Sequence, residues 1–334
     1  MQTLSKISSV IEYIEMIEQI AFKDTTVIWG EKLKFYESML NQNVKSTNED
    51  DSDNFKISFL SEQIKMLENS IETFDETNKN TFVCFYRGQS NINYKLLPSI
   101  MRNHQLKKED YLYHMMRVQC ANDFRGTTHL EQLVKMQHYD CPTRLLDVTS
   151  NPLVALYFAC KGGSDEVEGC VYIFYVAQQD MLFYDSDRAK VLSALASFND
   201  KEKKQLYDAC VSKLKSGGKF NASKNAKIVE RLYKQIRSED ASFEKNIDPL
   251  DVLSAFFVQP IKDNNRIIKQ DGAFIIDGLS LNETDCDDKL SLLAYGKIPI
   301  VNQEKILKQL DALGINESSL FPEIDKVAHY YKEK

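Results

Sequence analysis

The chain has 334 residues, 43% of them hydrophobic and 27% charged, which is enough for one large globular domain or two small ones. Its net charge of −7 disfavours constitutive, non-specific binding to nucleic acid, because phosphates would be repelled overall, although a local basic groove stays open. The seven cysteines form no C-x-x-C pair, which argues for free thiols in a reducing compartment and against a zinc site.

The first part of the chain is predicted to be helical. Apolar residues recur at helical spacing over residues 4–22, 29–41 and 56–73, and the acidic stretch 46–54 predicts an exposed loop between the last two helices. These apolar faces need burial, and the segment is too short to bury them alone. We therefore expect residues 1–78 to form a helical extension that packs on the main domain.

The remainder, residues 79–334, mixes strands and helices without a regular β-α alternation, which favours an α+β fold of small mixed or antiparallel sheets surrounded by helices. Asn151-Pro152 opens a further helix, because proline suits the first helical turn. A Lys- and Glu-rich helical insert covers about 187–245. The β-branched and aromatic runs predict strands at 81–88, 169–177, 255–260, 272–278 and 297–301. Apolar periodicity predicts helices at 107–124 and 129–138.

Common catalytic signatures are absent: the sequence has no G-x-G-x-x-G, P-loop, G-x-S-x-G or H-E-x-x-H motif. Three segments instead resemble the FRG domain family, which is named for a Phe-Arg-Gly motif. They are FYRGQSNINYKLLPSIMRN at 85–103, MQHYDCPTRLLDVTSNPLVALYFA at 136–159 and RIIKQDGAFIIDG at 266–278, with Tyr86 standing where the name-giving Phe would be. The resemblance covers about residues 80–330.

The order of these segments is also remotely similar to that of ADP-ribosyltransferases. Those enzymes have an Arg-Gly on a first strand, a Ser/Thr-rich segment leading into a helix, and a Glu or Gln near a later strand. This resemblance is a fold-level analogy. It implies an ADP-ribosyltransferase-like fold and NAD as a substrate, with no metal.

The Arg-Gly-Gln run supplies the first candidate ligand contacts. The Arg87 guanidinium presents a fork of donors that suits a pyrophosphate, Gly88 would let a ligand approach the backbone, and Gln89 completes the motif. The alternative is that Arg87 is buried and paired with Asp147, holding two segments together.

The Pro-Thr-Arg segment supplies further candidates. Thr143 or Arg144 would line a nucleotide pocket, or Arg144 and Asp147 would form an ion-paired corner without a ligand. Thr149 and Ser150 precede the helix that begins near Pro152. Either is a candidate N-cap of that helix, and a helix N-terminus also suits a phosphate.

Three residues are candidates for the chemistry itself. His138 would orient a ribose hydroxyl or act as a general acid or base, unless it is a hydrogen-bonded structural residue. Gln270 would bond the ribose beside the leaving nicotinamide. ADP-ribosyltransferases carry a Glu at that place, so the catalytic carboxylate would have to be Asp271.

The resemblance therefore implies an NAD-dependent ADP-ribosyltransferase-like toxin or effector of a bacterial anti-phage or toxin–antitoxin system, with a protein, RNA or DNA acceptor and a possible cognate antitoxin. The alternative is a non-catalytic ligand-sensing or protein-binding module, and a nuclease ranks last. Lysines of the insert, including Lys203, are expected on a solvated helix face. With no signal peptide and no run of roughly 18 apolar residues, we expect a cytoplasmic protein without membrane partners.

Overall fold

The computed structural model describes residues 1–21, 25–45, 60–61, 64–65, 68, 82–163, 166–220 and 226–334. The loop predicted over 46–54 and most of the helix predicted over 56–73 lie outside these residues.

A single sheet of eight strands organises the described part of the chain, where the sequence had suggested small sheets, and the α+β class is confirmed. The strand order is β1-β8-β4-β2-β3-β7-β6-β5; β1 pairs with β8 and β5 with β6 in parallel, and the other neighbours are antiparallel. The strands are β1 (Gln2–Thr3), β2 (Phe82–Gln89), β3 (Leu145–Thr149), β4 (Gly169–Ala177), β5 (Leu182–Phe183), β6 (Ala255–Gln259), β7 (Gly272–Asp277) and β8 (Gly296–Ile300).

Helices cover both faces of this sheet. The predicted insert consists of three helices, α7 to α9, followed by a short α10. In chain order the helices are α1 (Val10–Ala21), α2 (Thr25–Lys45), α3 (Glu109–Gln119), α4 (Ala121–Phe124), α5 (His129–His138), α6 (Pro152–Cys160), α7 (Asp187–Ala194), α8 (Asp200–Ser216), α9 (Lys227–Arg237), α10 (Pro249–Leu253), α11 (Asn265–Lys269), α12 (Glu283–Leu293), α13 (Gln303–Ala312), α14 (Glu317–Leu320) and α15 (Ile324–Glu333).

The amino-terminal segment packs on the sheet and its helices. Its first residues form the edge strand β1, whose backbone pairs with β8, and the helix predicted over 4–22 begins only at Val10. The Tyr13 hydroxyl donates to the Pro152 carbonyl, and the Tyr36 hydroxyl donates to the Leu292 carbonyl at 2.6 Å. The expectation that this segment lies against the main domain therefore agrees with the structure over residues 1–21 and 25–45.

Helix α6 lies directly on β2, and Gly88 makes this approach possible. A Cβ atom at Gly88 would lie 1.9 Å from the Ala155 carbonyl oxygen and 2.5 Å from the Ala159 amide nitrogen. Both are backbone atoms, which cannot move aside cheaply. The close approach that the glycine permits is thus between helix and strand, not between a ligand and the backbone.

Strand β3 is a central strand that is not among those predicted from the sequence. It pairs with β7 over five positions, from Leu145 opposite Ile276 to Thr149 opposite Gly272. With β2 it shares one ladder pair, Tyr86 opposite Thr149. Beyond that pair β2 and β3 are no longer joined by ladder hydrogen bonds, and the candidate site lies beside this point.

Candidate functional site

A small cleft lies between α5, β3, α11 and the start of β7. Its volume is about 50 Å³, and its polar lining consists of Gln137, His138, Asp147, Thr149, Arg266 and Gln270. These residues come from three separate stretches of the chain. Of the candidate residues named from the sequence, His138, Asp147, Thr149 and Gln270 line this cleft. The others do not line it: Arg87, Gly88, Gln89, Thr143, Arg144, Ser150 and Asp271.

A larger groove of about 240 Å³ adjoins the small cleft and shares Val134 and His138 with it. Leu130 and Pro260 contribute apolar surface to its lining. Tyr139 and Tyr184 also line it and are 67% and 43% exposed. His138 therefore lies where the two depressions meet.

Thr149 joins the end of β3 to the turn before β7. Its hydroxyl donates to the Gln270 carbonyl at 2.6 Å and accepts from the Asn151 amide at 3.0 Å. The N-cap of α6 is Asn151, whose Oδ1 accepts from the Leu153 amide at 3.0 Å. The expectation that Thr149 or Ser150 caps this helix is wrong, because Thr149 is still part of the strand and Ser150 uses its amide to bond the Asp271 carbonyl.

Gln270 and Asp271 form the turn between α11 and β7. The Gln270 side-chain amide donates to the Leu320 carbonyl at 3.2 Å. Asp271 has a φ of 46°, the left-handed conformation that aspartate tolerates better than most residues, and its carboxylate accepts from the Asn151 amide group at 3.4 Å. Asp271 is not among the residues lining the small cleft, where Asp147 supplies the carboxylate.

His138 ends helix α5 and is held from two sides. Its Nε2 lies 3.1 Å from Oε1 of Glu323, and its carbonyl accepts from Nη1 of Arg266 at 3.3 Å. The other oxygen of Glu323 is buried and has no hydrogen-bond partner among the described residues. His138 thus forms an imidazole–carboxylate pair with a residue from the far end of the chain.

Arg87 fills the place where β2 and β3 part, and it is not among the residues lining the small cleft. Its Nη1 donates to the Asp147 carbonyl at 2.6 Å and lies 3.8 Å from the Asp147 carboxylate, which is 59% exposed. Burial lowers the pKa of the Arg87 guanidinium to about 10, against the opposing effect of Asp147. Gln89 is buried on the same strand and donates to the Lys95 carbonyl.

Arg144 does not line the small cleft, and its partner is not Asp147. The side chain is 2% exposed, and its Nε and Nη2 donate to the two oxygens of Glu109 at 2.9 and 2.6 Å. Its Nη1 donates to the Asp277 and Gly278 carbonyls at 2.9 and 3.1 Å. Arg144 therefore forms an ion pair, as one alternative predicted. Its partner is Glu109, which lies 35 residues earlier in the chain, and not Asp147.

Thr143 is likewise buried away from the small cleft. Its hydroxyl donates to Oε1 of Gln137 at 2.6 Å and accepts from the Leu145 amide at 3.1 Å. The Gln137 side-chain amide in turn donates to the Asp147 carboxylate at 2.9 Å. Thr143 therefore acts on the cleft indirectly, by holding Gln137.

Comparison with known families gives one match. Residues 83–168 match the model of the FRG domain. The chain carries an FRG domain. Searches of curated proteins and of solved structures each found no significant match.

The matched part of the FRG domain contains Arg87, Arg144, Thr149 and His138. Gln270 and Arg266 lie beyond the matched range, although they line the same cleft. The residues that form the site are therefore split between the matched segment and the segment around β7.

Four residues of the FRG domain and its surroundings were not singled out from the sequence. Arg266 lies in the motif RIIKQDGAFIIDG, and its place in the helix directly before β7 was the signal that could have identified it. Glu109 and Glu323 had no local signal, because their partners are distant in sequence. Lys203 was placed on a solvated face, but its Nζ is buried 2.6 Å from Glu109.

No three His, Cys, Asp or Glu side chains among the described residues are grouped so that they could hold a metal ion. Within the same residues, no helix combines the length and apolar character needed to cross a membrane.

Proposed function

We propose that the small cleft and the larger groove together bind NAD, and that the protein is an ADP-ribosyltransferase-like toxin or effector of a bacterial defence or toxin–antitoxin system. One observation carries the proposal. Thr149, His138 and Gln270, chosen from two of the three segments that carry the resemblance, line one cleft. Polar groups converging on a concave site are typical of ligand recognition.

The volumes determine how NAD would lie. A cleft of about 50 Å³ cannot hold a dinucleotide, since ligand sites usually measure roughly 300–1,000 Å³. The adjoining groove of about 240 Å³ provides most of the space. NAD would extend along both, with its adenine against the exposed Tyr139 and Tyr184 rings, because aromatic side chains stack well on bases. The small cleft would have to open further to admit the nicotinamide riboside.

The cleft residues suggest a division of roles. Arg266 is the guanidinium that lines the cleft, so it replaces Arg87 as our candidate for the pyrophosphate. Gln270 would bond a ribose hydroxyl. Asp147 replaces Asp271 as the carboxylate that would stabilise positive charge on the ribose. The bond between ribose C1′ and nicotinamide would break, nicotinamide would leave with the bonding electrons, and the acceptor nucleophile would bond to C1′.

His138 would take the proton that the acceptor loses in this step. An imidazole that lines the cleft can serve as the general base for this proton. The acceptor itself, protein or nucleic acid, stays open. The proposal needs no metal.

The test measures nicotinamide release from NAD by the full-length protein, by liquid chromatography, and transfer of label from NAD to cell extract. We expect Asp147→Asn and Gln270→Ala to reduce release at least about tenfold, the range in which loss of a charged or oriented contact acts on a transition state. The matched control is Gln205→Ala, since Gln205 is an exposed glutamine of α8. Absence of NAD binding and of release in the unmodified protein would refute the proposal.

A second candidate is a ligand-sensing or protein-binding module without turnover. Two observations favour it. Arg144 is fully saturated by Glu109 and backbone carbonyls, and both Gln270 and His138 are bonded to residues 320 and 323. Nucleotide binding measured by calorimetry, together with no nicotinamide release, would identify this alternative.

A further inference from the structure

The segment Leu320–Glu323, here called the C-terminal strap, contacts three of the residues that line the small cleft. The Leu320 carbonyl accepts from the Gln270 amide at 3.2 Å, and Glu323 lies 3.1 Å from His138. Between them, the guanidinium of Arg266 lies over the Phe321 ring, 4.8 Å from its centroid. Three consecutive contacts therefore fall on three groups that line one cleft.

These contacts use the groups that a ligand would need. A carbonyl occupies the Gln270 amide, an aromatic ring covers the Arg266 guanidinium, and a carboxylate occupies the His138 imidazole. An anionic ligand with a planar ring would compete for the same three positions. A ligand that uses all three groups would therefore have to displace the strap.

The strap is anchored strongly at one end and weakly at the other. Leu320 is buried in the cluster that also contains α6, whereas helix α15, which follows the strap, has no buried residue and carries Ile324 at 88% exposure. Surface contacts hold α15, chiefly the Tyr330 hydroxyl donating to the Asp311 carboxylate and His329 beside Glu317. The His329–Glu317 pair is exposed and contributes little stability, whereas the Tyr330–Asp311 hydrogen bond is partly buried and Phe321 packs edge-on against Phe158. Opening after Leu320 therefore has to break this limited set of contacts.

We infer that residues 321–334 form an autoinhibitory lid, which in this structure closes the small cleft and must swing away from Leu320 before a ligand can bind. The inference rests on the proposed function only in taking the small cleft as the ligand site, and it does not require that the ligand be NAD. The lid makes the site available on opening, by freeing His138 and Arg266 together.

The test follows opening directly, without any ligand. Diethyl pyrocarbonate modifies accessible imidazoles, and mass spectrometry reports the rate at His138, with the exposed His104 as an internal reference. The remote variant Tyr330→Phe loses the bond to Asp311 but does not contact His138. We expect it to raise the rate at His138 about two- to tenfold, the factor that loss of one hydrogen bond gives a local opening equilibrium.

Two further variants sharpen the result. Phe321→Ala should raise the rate similarly, because it removes the contact with Arg266, and Asp325→Asn, an exposed acid of α15, should leave it unchanged. If Glu323→Gln alone accelerates modification while Phe321→Ala and Tyr330→Phe, still folded, do not, the His138–Glu323 contact is a local pair and the lid is refuted. Accelerated modification without NAD turnover would leave the lid standing and refute only the proposed reaction.

Discussion

Replacing Arg144 with methionine would leave the Glu109 carboxylate buried with one cation beside it in place of two. Methionine keeps most of the length and apolar volume of the arginine stem. The change removes both hydrogen bonds to Glu109 and both hydrogen bonds to the carbonyls of Asp277 and Gly278. Glu109 is 1% exposed, so water cannot replace the lost donors.

The expected loss of unfolding free energy is about 3–5 kcal/mol, because four hydrogen bonds to buried acceptors are lost together and each buried polar group left without a partner costs about 1–3 kcal/mol. A typical domain has only about 5–15 kcal/mol in total. Urea unfolding followed by far-ultraviolet circular dichroism would measure this loss as a lower midpoint.

Lys203→Met is the matched control in the same cluster. Lys203 is the second cation on Glu109, and burial lowers its pKa against the attraction of that carboxylate. Its removal leaves the two-pronged pair of Arg144 and Glu109 intact and neutral, so we expect a cost below about 2 kcal/mol. A loss below about 1 kcal/mol for Arg144→Met, or a larger loss for Lys203→Met, would refute this reasoning.

Four other changes test separate parts of the structure. Gly88→Ala would place a Cβ atom 1.9 Å from a carbonyl oxygen of α6, so we expect little soluble protein on expression and gel filtration. Asn151→Ala should cost about 1 kcal/mol in urea unfolding as the lost N-cap, and Ser150→Ala less than about 0.5 kcal/mol. Burial lowers the pKa of His129 from 6.5 to about 4, so the unfolded chain protonates first. Stability should therefore fall between pH 6.5 and 4, more steeply than in His129→Gln. Arg87→Ala should cost about 1.5–3 kcal/mol and still give folded protein by thermal melting, since it breaks a charged hydrogen bond to a carbonyl but leaves no acid buried.

Opposite outcomes would point to specific errors. A folded and stable Gly88→Ala protein would mean that α6 does not lie on β2 as described. Equal costs at positions 150 and 151 would remove the N-cap assignment. If the unmodified protein and His129→Gln lose stability in parallel as the pH falls, burial does not lower the pKa of His129. Loss of all soluble Arg87→Ala protein would mean that the guanidinium is essential to the sheet.

Local patterns predicted the elements whose signal is local. Helix α5 begins at a Thr128–Glu131 capping box, and β4 is a nine-residue run that is buried throughout, so both were found from the sequence. Strand β3 was missed because LLDVT is short and carries the exposed Asp147 between apolar residues. Its place beside β7 depends on pairing with a strand more than 120 residues later, which periodicity cannot show.

The candidate site shows the same difference between local signals, which the sequence contains, and long-range contacts, which it does not. The resemblance named Thr149, His138 and Gln270 as candidates, since each belongs to a recognisable segment, and all three line the small cleft. It could not supply Glu109 as the partner of Arg144, or Glu323 as the partner of His138, because those pairs join residues 35 and 185 positions apart. A single sequence contains no signal for such contacts.

The residues of the FRG motifs differ in what they contact. Gly88 receives helix α6, Arg87 bridges β2 to β3 where their ladder ends, and Arg144 ties β3 to Glu109 and to the end of β7. Gly88 and Arg87 act where β2 meets α6 and β3, whereas Arg144 acts at the other end of β3, beside the end of β7. The polar cleft lies between β3 and α11, and His138 and Gln270 line it. The motif arginines are therefore expected to affect a ligand through the position of Asp147 and its strand, whereas the cleft residues would affect it by contact.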